Sequence, residues 1–264
     1  MKKIQEFILI LLVGGFIYMI INNSNNSIPK IPLKDFFRNP EKASFQLSPD
    51  GSHIALMKPW KDGNRMMNVY IRKMDSNEEI RITNASDRSI YGYFWLNNNR
   101  IAYIQDKGGD ENIHIYAVNI DGTNDMDLTP FENIQARIED DLENDPDYML
   151  VSLNKRDPRI HDVYRLNIND GTLTLIAENP GNIMGWMTDN DGKLRIATTS
   201  DGVNTSLLYR DSEEQSFKSI LTTNFKESVS PLYFTFDNKS LYVSSNRGRD
   251  KSAIYKFDLN TAKE

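Results

Sequence analysis

The 264-residue chain is 39% hydrophobic, 10% aromatic and 26% charged, which is enough apolar mass for a substantial core and excludes a disordered chain. Its formal net charge of −6, with no basic stripe, excludes a nucleic-acid surface, since phosphate recognition needs clustered Lys and Arg. The absence of cysteine excludes disulfides, thiolate nucleophiles and cysteine-ligated metals.

At the N-terminus, Lys2 and Lys3 precede an uncharged run over residues 7–21, and an Asn- and Ser-rich tract over 22–27 follows. As a helix the run would reach about 22 Å, somewhat short of a bilayer's hydrocarbon core. This layout predicts a signal peptide or signal-anchor over residues 1–27. The lysines would stay in the cytoplasm, and the rest of the chain would be exported and tethered to the membrane or released outside it. No small-x-small cleavage site follows the run, which favours a retained anchor. Residues 28–43 read as a linker.

Beyond residue 43 the chain repeats. Tyr70, Tyr116, Tyr164, Tyr209 and Tyr255 each follow a branched aliphatic residue or leucine, at separations of 46, 48, 45 and 46. A second marker, Ile54, Ile101, Met149, Leu194 and Leu241, opens a short apolar run in each repeat, at separations of 47, 48, 45 and 47. Two markers in phase at a period of ~40–50 residues are the mark of propeller blades.

Each apolar run follows a turn: Pro49-Asp50-Gly51, Asn97-Asn98-Asn99, Asp145-Pro146-Asp147, Asp191-Gly192 and Asp237-Asn238. Before four of these turns lies an aromatic-rich innermost strand, around Phe45, Phe94, Trp186 and Tyr233, and residues 134–138 take that place in the third repeat. A fourth strand is expected at residues 79–83, 127–129, 173–176 and 218–222. The predicted class is therefore all-β, a propeller of four-stranded blades over about 44–85, 91–130, 134–178, 183–223 and 229–264. The five tyrosines read as packing residues. In the fifth repeat Tyr255 lies too near the end of the sequence for an outer strand, so the last blade is expected to be incomplete. Proline makes residues 28–32 a poor strand to close a ring. A fragment, or a product of premature termination, is the expectation; five blades closed by some other strand is the alternative.

Little of the chain has the pattern of a chemical site. His53, His114 and His161 fall in different repeats and none is spaced as a metal pair, so packing or surface roles are expected. Asp189-Asn190-Asp191-Gly192 opens like a calcium loop but lacks the acidic ligand at the far end, and so reads as a hairpin turn. No metal or other cofactor is expected. Two charged groups are candidate substrate contacts. Glu139 and Asp140, in an acidic run with Asp141, Glu143 and Asp145, could pair with a peptide ammonium. Arg247 and Arg249, flanking Gly248, could hold a peptide carboxylate. A solvated loop is the plainer reading of both.

The turn Leu47-Ser48-Pro49-Asp50-Gly51 is similar to one shared by TolB-type propellers and the propeller domain of the prolyl oligopeptidase family of serine peptidases. Asp110-Glu111-Asn112, Leu128-Thr129-Pro130-Phe131, Arg156-Asp157-Pro158-Arg159 and the stretch from Ser245 to Asp250 resemble the peptidase branch. The resemblance runs from about residue 33 to the end. It implies a propeller that caps an α/β-hydrolase domain, restricts access to its site and helps select peptides. It also implies a catalytic part placed after the propeller, with a Gly-x-Ser-x-Gly elbow followed by Asp and His. No Gly-x-Ser-x-Gly occurs in this sequence, so no catalytic residue is assigned and the chain alone is not expected to hydrolyse peptides. The expected partners are a peptide substrate and the missing catalytic domain; a non-enzymatic TolB-like propeller that docks another protein is the alternative.

Overall fold

A computed structural model of the chain describes residues 30–62 and 64–264. The expected signal or anchor segment lies outside the described residues. Among those described, no helix is long and apolar enough to cross a membrane. Within the stretch read as linker, residues Leu33–Phe37 form one helical turn, α1. It stops at Arg38, whose backbone is already extended (φ −76°, ψ 143°), two residues before Pro40. Residues 1–39 and 40–264 form separate units, and all the strands belong to the second.

Blade 1 comprises β1 (Ala43–Leu47), β2 (His53–Pro59), β3 (Met67–Lys73) and β4 (Ile80–Arg81), and blade 2 comprises β5 (Gly92–Asn97), β6 (Arg100–Gln105), β7 (His114–Asn119) and β8 (Met126–Asp127). Blade 3 is β9 (Ala136–Asp140), β10 (Tyr148–Asp157), β11 (Ile160–Asn167) and β12 (Leu173–Ala177). Blade 4 is β13 (Ile183–Thr188), β14 (Leu194–Ser200), β15 (Thr205–Tyr209) and β16 (Lys218–Thr223). Blade 5 is β17 (Val229–Phe234), β18 (Ser240–Ser245) and β19 (Ala253–Asp258), three strands against four in the others. Every strand pairs antiparallel with the next, so each blade is a meander. The marker tyrosines all fall on third strands and the second markers on second strands.

The core explains why the markers repeat. Hydrophobic clusters form between consecutive blades. Ala55, Met57 and Val69 of blade 1 meet Ile101, Tyr103 and Val118 of blade 2. Ala102, Ile115 and Leu128 of blade 2 meet Met149, Val151 and Leu153 of blade 3. Leu150 and Val163 of blade 3 meet Leu194 of blade 4, and Ile196 and Leu207 of blade 4 meet Leu241, Val243 and Phe257 of blade 5. Successive side chains on a strand point to opposite faces. A central strand with a neighbouring blade on either side is thus apolar at nearly every position rather than at alternate ones, as Met149, Leu150, Val151 and Leu153 illustrate.

Some boundaries differ from the sequence reading. The outer strands of blades 1 and 2 are only two residues long, shorter than the expected 79–83 and 127–129. Both are cut short in the same way. The Val69 amide donates to the Thr83 hydroxyl and the Ile115 amide to the Thr129 hydroxyl, each at 3.0 Å, so a side chain replaces a backbone carbonyl in the ladder. In blade 5 the inner strand around Tyr233 ends at Phe234, although the apolar pattern runs on to Phe236, and Thr235 and Phe236 belong to the turn. The Thr235 hydroxyl donates to Asp237 at 2.6 Å, and Phe236 projects fully into solvent.

Phe257 has no exposed surface, whereas Phe236 is fully exposed. Phe257→Ala is expected to lower stability by about 3–5 kcal/mol, and Phe236→Ala to change it by less than about 0.5 kcal/mol. Urea denaturation of both variants measures the contrast.

Candidate functional site

The inner strands of blades 3, 4 and 5 end at a common cleft of about 590 Å³, lined on one side by residues 139–145 and on the other by residues 186–193 and 232–234. Its shape begins with a turn. After β9, the Asp140 carboxylate accepts from the Leu142 amide at 2.7 Å, an Asx-type contact that lets the chain reverse tightly. Leu142 sits at φ +52°, an uncommon conformation for a side chain of its size. It is offset by packing: Leu142 is buried beside Leu150, Val163 and Leu194. With Leu142 pinned inward, Asp141 and Glu143 on either side of it are exposed.

The facing wall is the turn between β13 and β14. Asp189 accepts from the amides of Asp191 and Lys193 at 3.0 Å each, and its own amide donates to the Lys193 carbonyl at 2.9 Å. This makes 189–192 the hairpin turn read from the sequence. Gly192 is favoured here for two reasons. It sits at φ +69°, and a Cβ at this position would lie 2.7 Å from Leu142 Cδ2, so any side chain here would be strained and would force Leu142 to shift.

Charge is distributed unevenly across the cleft. Seven carboxylates line it (Glu139, Asp140, Asp141, Glu143, Asp145, Asp189 and Asp191) against two cations, Arg165 and Lys193. Several carboxylates are already engaged. Asp189 pairs with Arg195 at 3.0 Å, Asp145 with Arg165 at 3.6 Å, and Glu139 accepts from the Ser152 hydroxyl at 2.6 Å. Asp140 also accepts from the Thr188 hydroxyl of blade 4. Asp141 and Glu143 differ: among the described residues no side chain donates to either. Packing around the Asp141 carboxyl, with Asp140 and then Glu143 nearby, lifts its pKa above the ordinary value of 3.8. The unbalanced negative field therefore concentrates on the β9–β10 side. Opposite it stands an apolar wall of Trp186, Met187 and Tyr233. Trp186 leans on Phe217 at 5.8 Å between ring centroids, and Tyr233 is 74% exposed. Such a cleft can receive a cation carried on an apolar or extended body.

Of the residues singled out from the sequence, Glu139 and Asp140 are in this cleft. Arg247 and Arg249 are not. The turn after β17 and the loop holding both arginines lie at opposite ends of β18, whose six residues span about 20 Å. Their guanidiniums already hold a carboxylate, that of Glu264, at 3.5 and 3.6 Å, and Arg249 stacks over Tyr255 at 4.1 Å. The histidines take packing or surface positions. His114 is buried and donates from Nδ1 to Asp127 at 2.8 Å, His53 lies beside the Ser52 hydroxyl at 2.7 Å, and His161 is partly buried, its pKa lowered by burial and by Arg137. Among the described residues no group of His, Asp or Glu is arranged to hold a metal ion. Sequence reasoning gave no role to Asp141 apart from the acidic run, and none to Arg165 or to the aromatic wall. The signal was present in the aromatic residues that precede each turn, which pack inward in some blades and line the cleft in others.

No protein-family model matches the chain. Over 238 residues, 86% of this chain, it is 34% identical to dipeptidyl aminopeptidase BIII from Pseudoxanthomonas mexicana, covering 33% of that protein. The chain is a homologue of the dipeptidyl aminopeptidases. It is also 25% identical over 253 residues, 88% of the chain, to dipeptidyl peptidase family member 6 of Caenorhabditis elegans, again covering 33% of it. The chain thus spans about a third of the length of these curated relatives. Among solved structures, a prolyl endopeptidase superimposes with a TM-score of 0.59 at 11% identity, over 85% of this chain and 35% of that one. At that identity the likeness concerns the fold alone, and the fold it supports is a β-propeller.

The raised pKa of Asp141 fixes the sign of a pH effect. The folded chain holds this proton more tightly than the unfolded chain does, so ionisation costs stability as pH rises through the raised value. Asp141→Asn is expected to be more stable than the parent at pH 7, with the difference vanishing below the ordinary value of 3.8, where both side chains are neutral. Denaturation midpoints at the two pH values measure it.

Proposed function

We propose that this chain is the substrate-admitting propeller of an exported peptidase of the dipeptidyl peptidase type, and that its acidic cleft receives the positively charged amine of a peptide. The observation that carries the reading is the charge of the cleft, seven carboxylates against two cations, with Asp141 lacking a side-chain donor among the described residues and facing an aromatic wall. Homology to the dipeptidyl aminopeptidases supports a peptide as the ligand.

The division of labour follows from the residues present. The sequence contains no Gly-x-Ser-x-Gly, so peptide cleavage belongs to a hydrolase domain outside this chain and the propeller acts on access. Clustered carboxylates raise the local concentration of cationic peptide ends and orient them before any chemistry. An ammonium entering the cleft relieves the repulsion among Asp140, Asp141 and Glu143, while Trp186 and Tyr233 cover its apolar neighbour. Only an extended chain end enters a cleft of this volume, so the propeller admits peptides and holds back folded proteins.

Binding of short peptides to the chain, followed by calorimetry, tests the reading. A peptide with a free N-terminal amine is expected to bind, and more weakly as salt is raised. Its N-acetylated form should bind about tenfold more weakly, and Asp141→Asn should weaken the free peptide by a similar factor, the loss of one charge-assisted hydrogen bond. Equal affinity for the two peptides contradicts the proposal.

A further inference from the structure

Helix α1 carries an exposed apolar face, and none of its residues is buried. Leu33, Phe36 and Phe37 stand at i, i+3 and i+4, so they share one side of the turn. They are 74%, 67% and 80% exposed. Ile31, just before it, is 64% exposed. Two adjacent phenylalanines held in water cost hydration free energy and make a patch that calls for a partner.

The flanking charges indicate its chemistry. Lys30, Lys34 and Arg38 surround the apolar residues, and the single carboxylate among them, Asp35, pairs loosely with Arg38 at 3.9 Å. Three cations against one anion leave a local charge of +2 on a chain whose total is −6. In sequence, Lys30 follows the end of the uncharged run over 7–21 by nine residues. Aromatic and aliphatic side chains with Lys and Arg around them suit the boundary between headgroups and acyl chains, where rings enter the apolar layer and cations meet lipid phosphates.

We infer that residues 30–38 lie on an anionic lipid surface, with Leu33, Phe36 and Phe37 seated at its headgroup boundary. This contact is separate from the anchor expected over residues 1–27, although it deepens the reading that the chain is membrane-bound. It would hold the first described segment flat against the bilayer.

The absence of cysteine allows a direct test on the full chain. Phe37→Cys is labelled with an environment-sensitive dye, and Phe225→Cys, replacing a phenylalanine of similar exposure in the propeller, serves as the control. Both proteins are bound to vesicles of phosphatidylcholine containing phosphatidylglycerol, with a nitroxide-labelled lipid as quencher. The dye at 37 is expected to shift to shorter wavelength and be quenched by the nitroxide lipid, and the dye at 225 to remain in water. Adding Lys34→Glu and Arg38→Glu should reduce quenching at 37 to its level on phosphatidylcholine alone. A vesicle-bound chain whose dye at 37 stays aqueous overturns the inference and leaves the anchor intact. A blue shift without lipid quenching overturns it in favour of a protein cover. Failure of the chain to bind vesicles at all overturns both readings.

Discussion

The structure depends on sheets that must be covered on both faces. A four-stranded meander of this size cannot bury its apolar side chains by itself, and the chain solves this by stacking each blade on the next. Met149, Val151 and Leu153 point to blade 2 while Leu150 points to blade 4. The stack is tied across its junctions as well. The Asp50 amide donates to Asn98 at 3.0 Å between blades 1 and 2, and the Asn190 amide donates to Asn238 at 3.0 Å between blades 4 and 5. The same turn positions thus make the same link at both ends of the array. Arg100 reaches the Ile168 carbonyl at 3.1 Å, and Arg165 reaches Glu213 at 3.3 Å.

The acidic cleft is a by-product of that stacking put to use. Gly192, with no side chain, leaves Leu142 undisturbed, and Leu142 tolerates its left-handed backbone because the junction between blades 3 and 4 buries it. Those two packing facts bring the turn after β9 against the turn after β13 and leave Asp141 between them without a described cation. Asp145 and Asp189 lie nearby yet are neutralised by arginines that belong to the blade junctions. Structure and field are therefore set by the same contacts. The arginines that hold the blades together also decide which carboxylates stay available.

Much of the fold was legible because a repeated architecture repeats its burial pattern. Tyr70, Tyr116, Tyr164, Tyr209 and Tyr255 gave the period, and the turns rich in Asp, Asn and Gly gave the hairpins. The outer strands of blades 1 and 2 were overestimated because Thr83 and Thr129 continue the apolar pattern while their hydroxyls take over the ladder, a substitution that local composition does not reveal. The site was only half legible. Glu139 and Asp140 stood out as part of an acidic run, but whether such a run is solvated or faces a cavity depends on the next blade, more than forty residues away in sequence: Asp140 meets Thr188. Arg247 and Arg249 show the converse. Two guanidiniums around a glycine looked available for a ligand, and the fold gives them Glu264.

Recognition of a peptide amine by the cleft between blades 3 and 4 is tested most directly by a crystal structure of the chain soaked with a short peptide bearing a free N-terminus. The ammonium is expected within about 3 Å of the Asp141 carboxylate, the distance of a charge-assisted hydrogen bond, with the first side chain against Trp186 or Tyr233. A peptide bound elsewhere, or lying in the cleft with its carboxylate end toward Asp141, would contradict it.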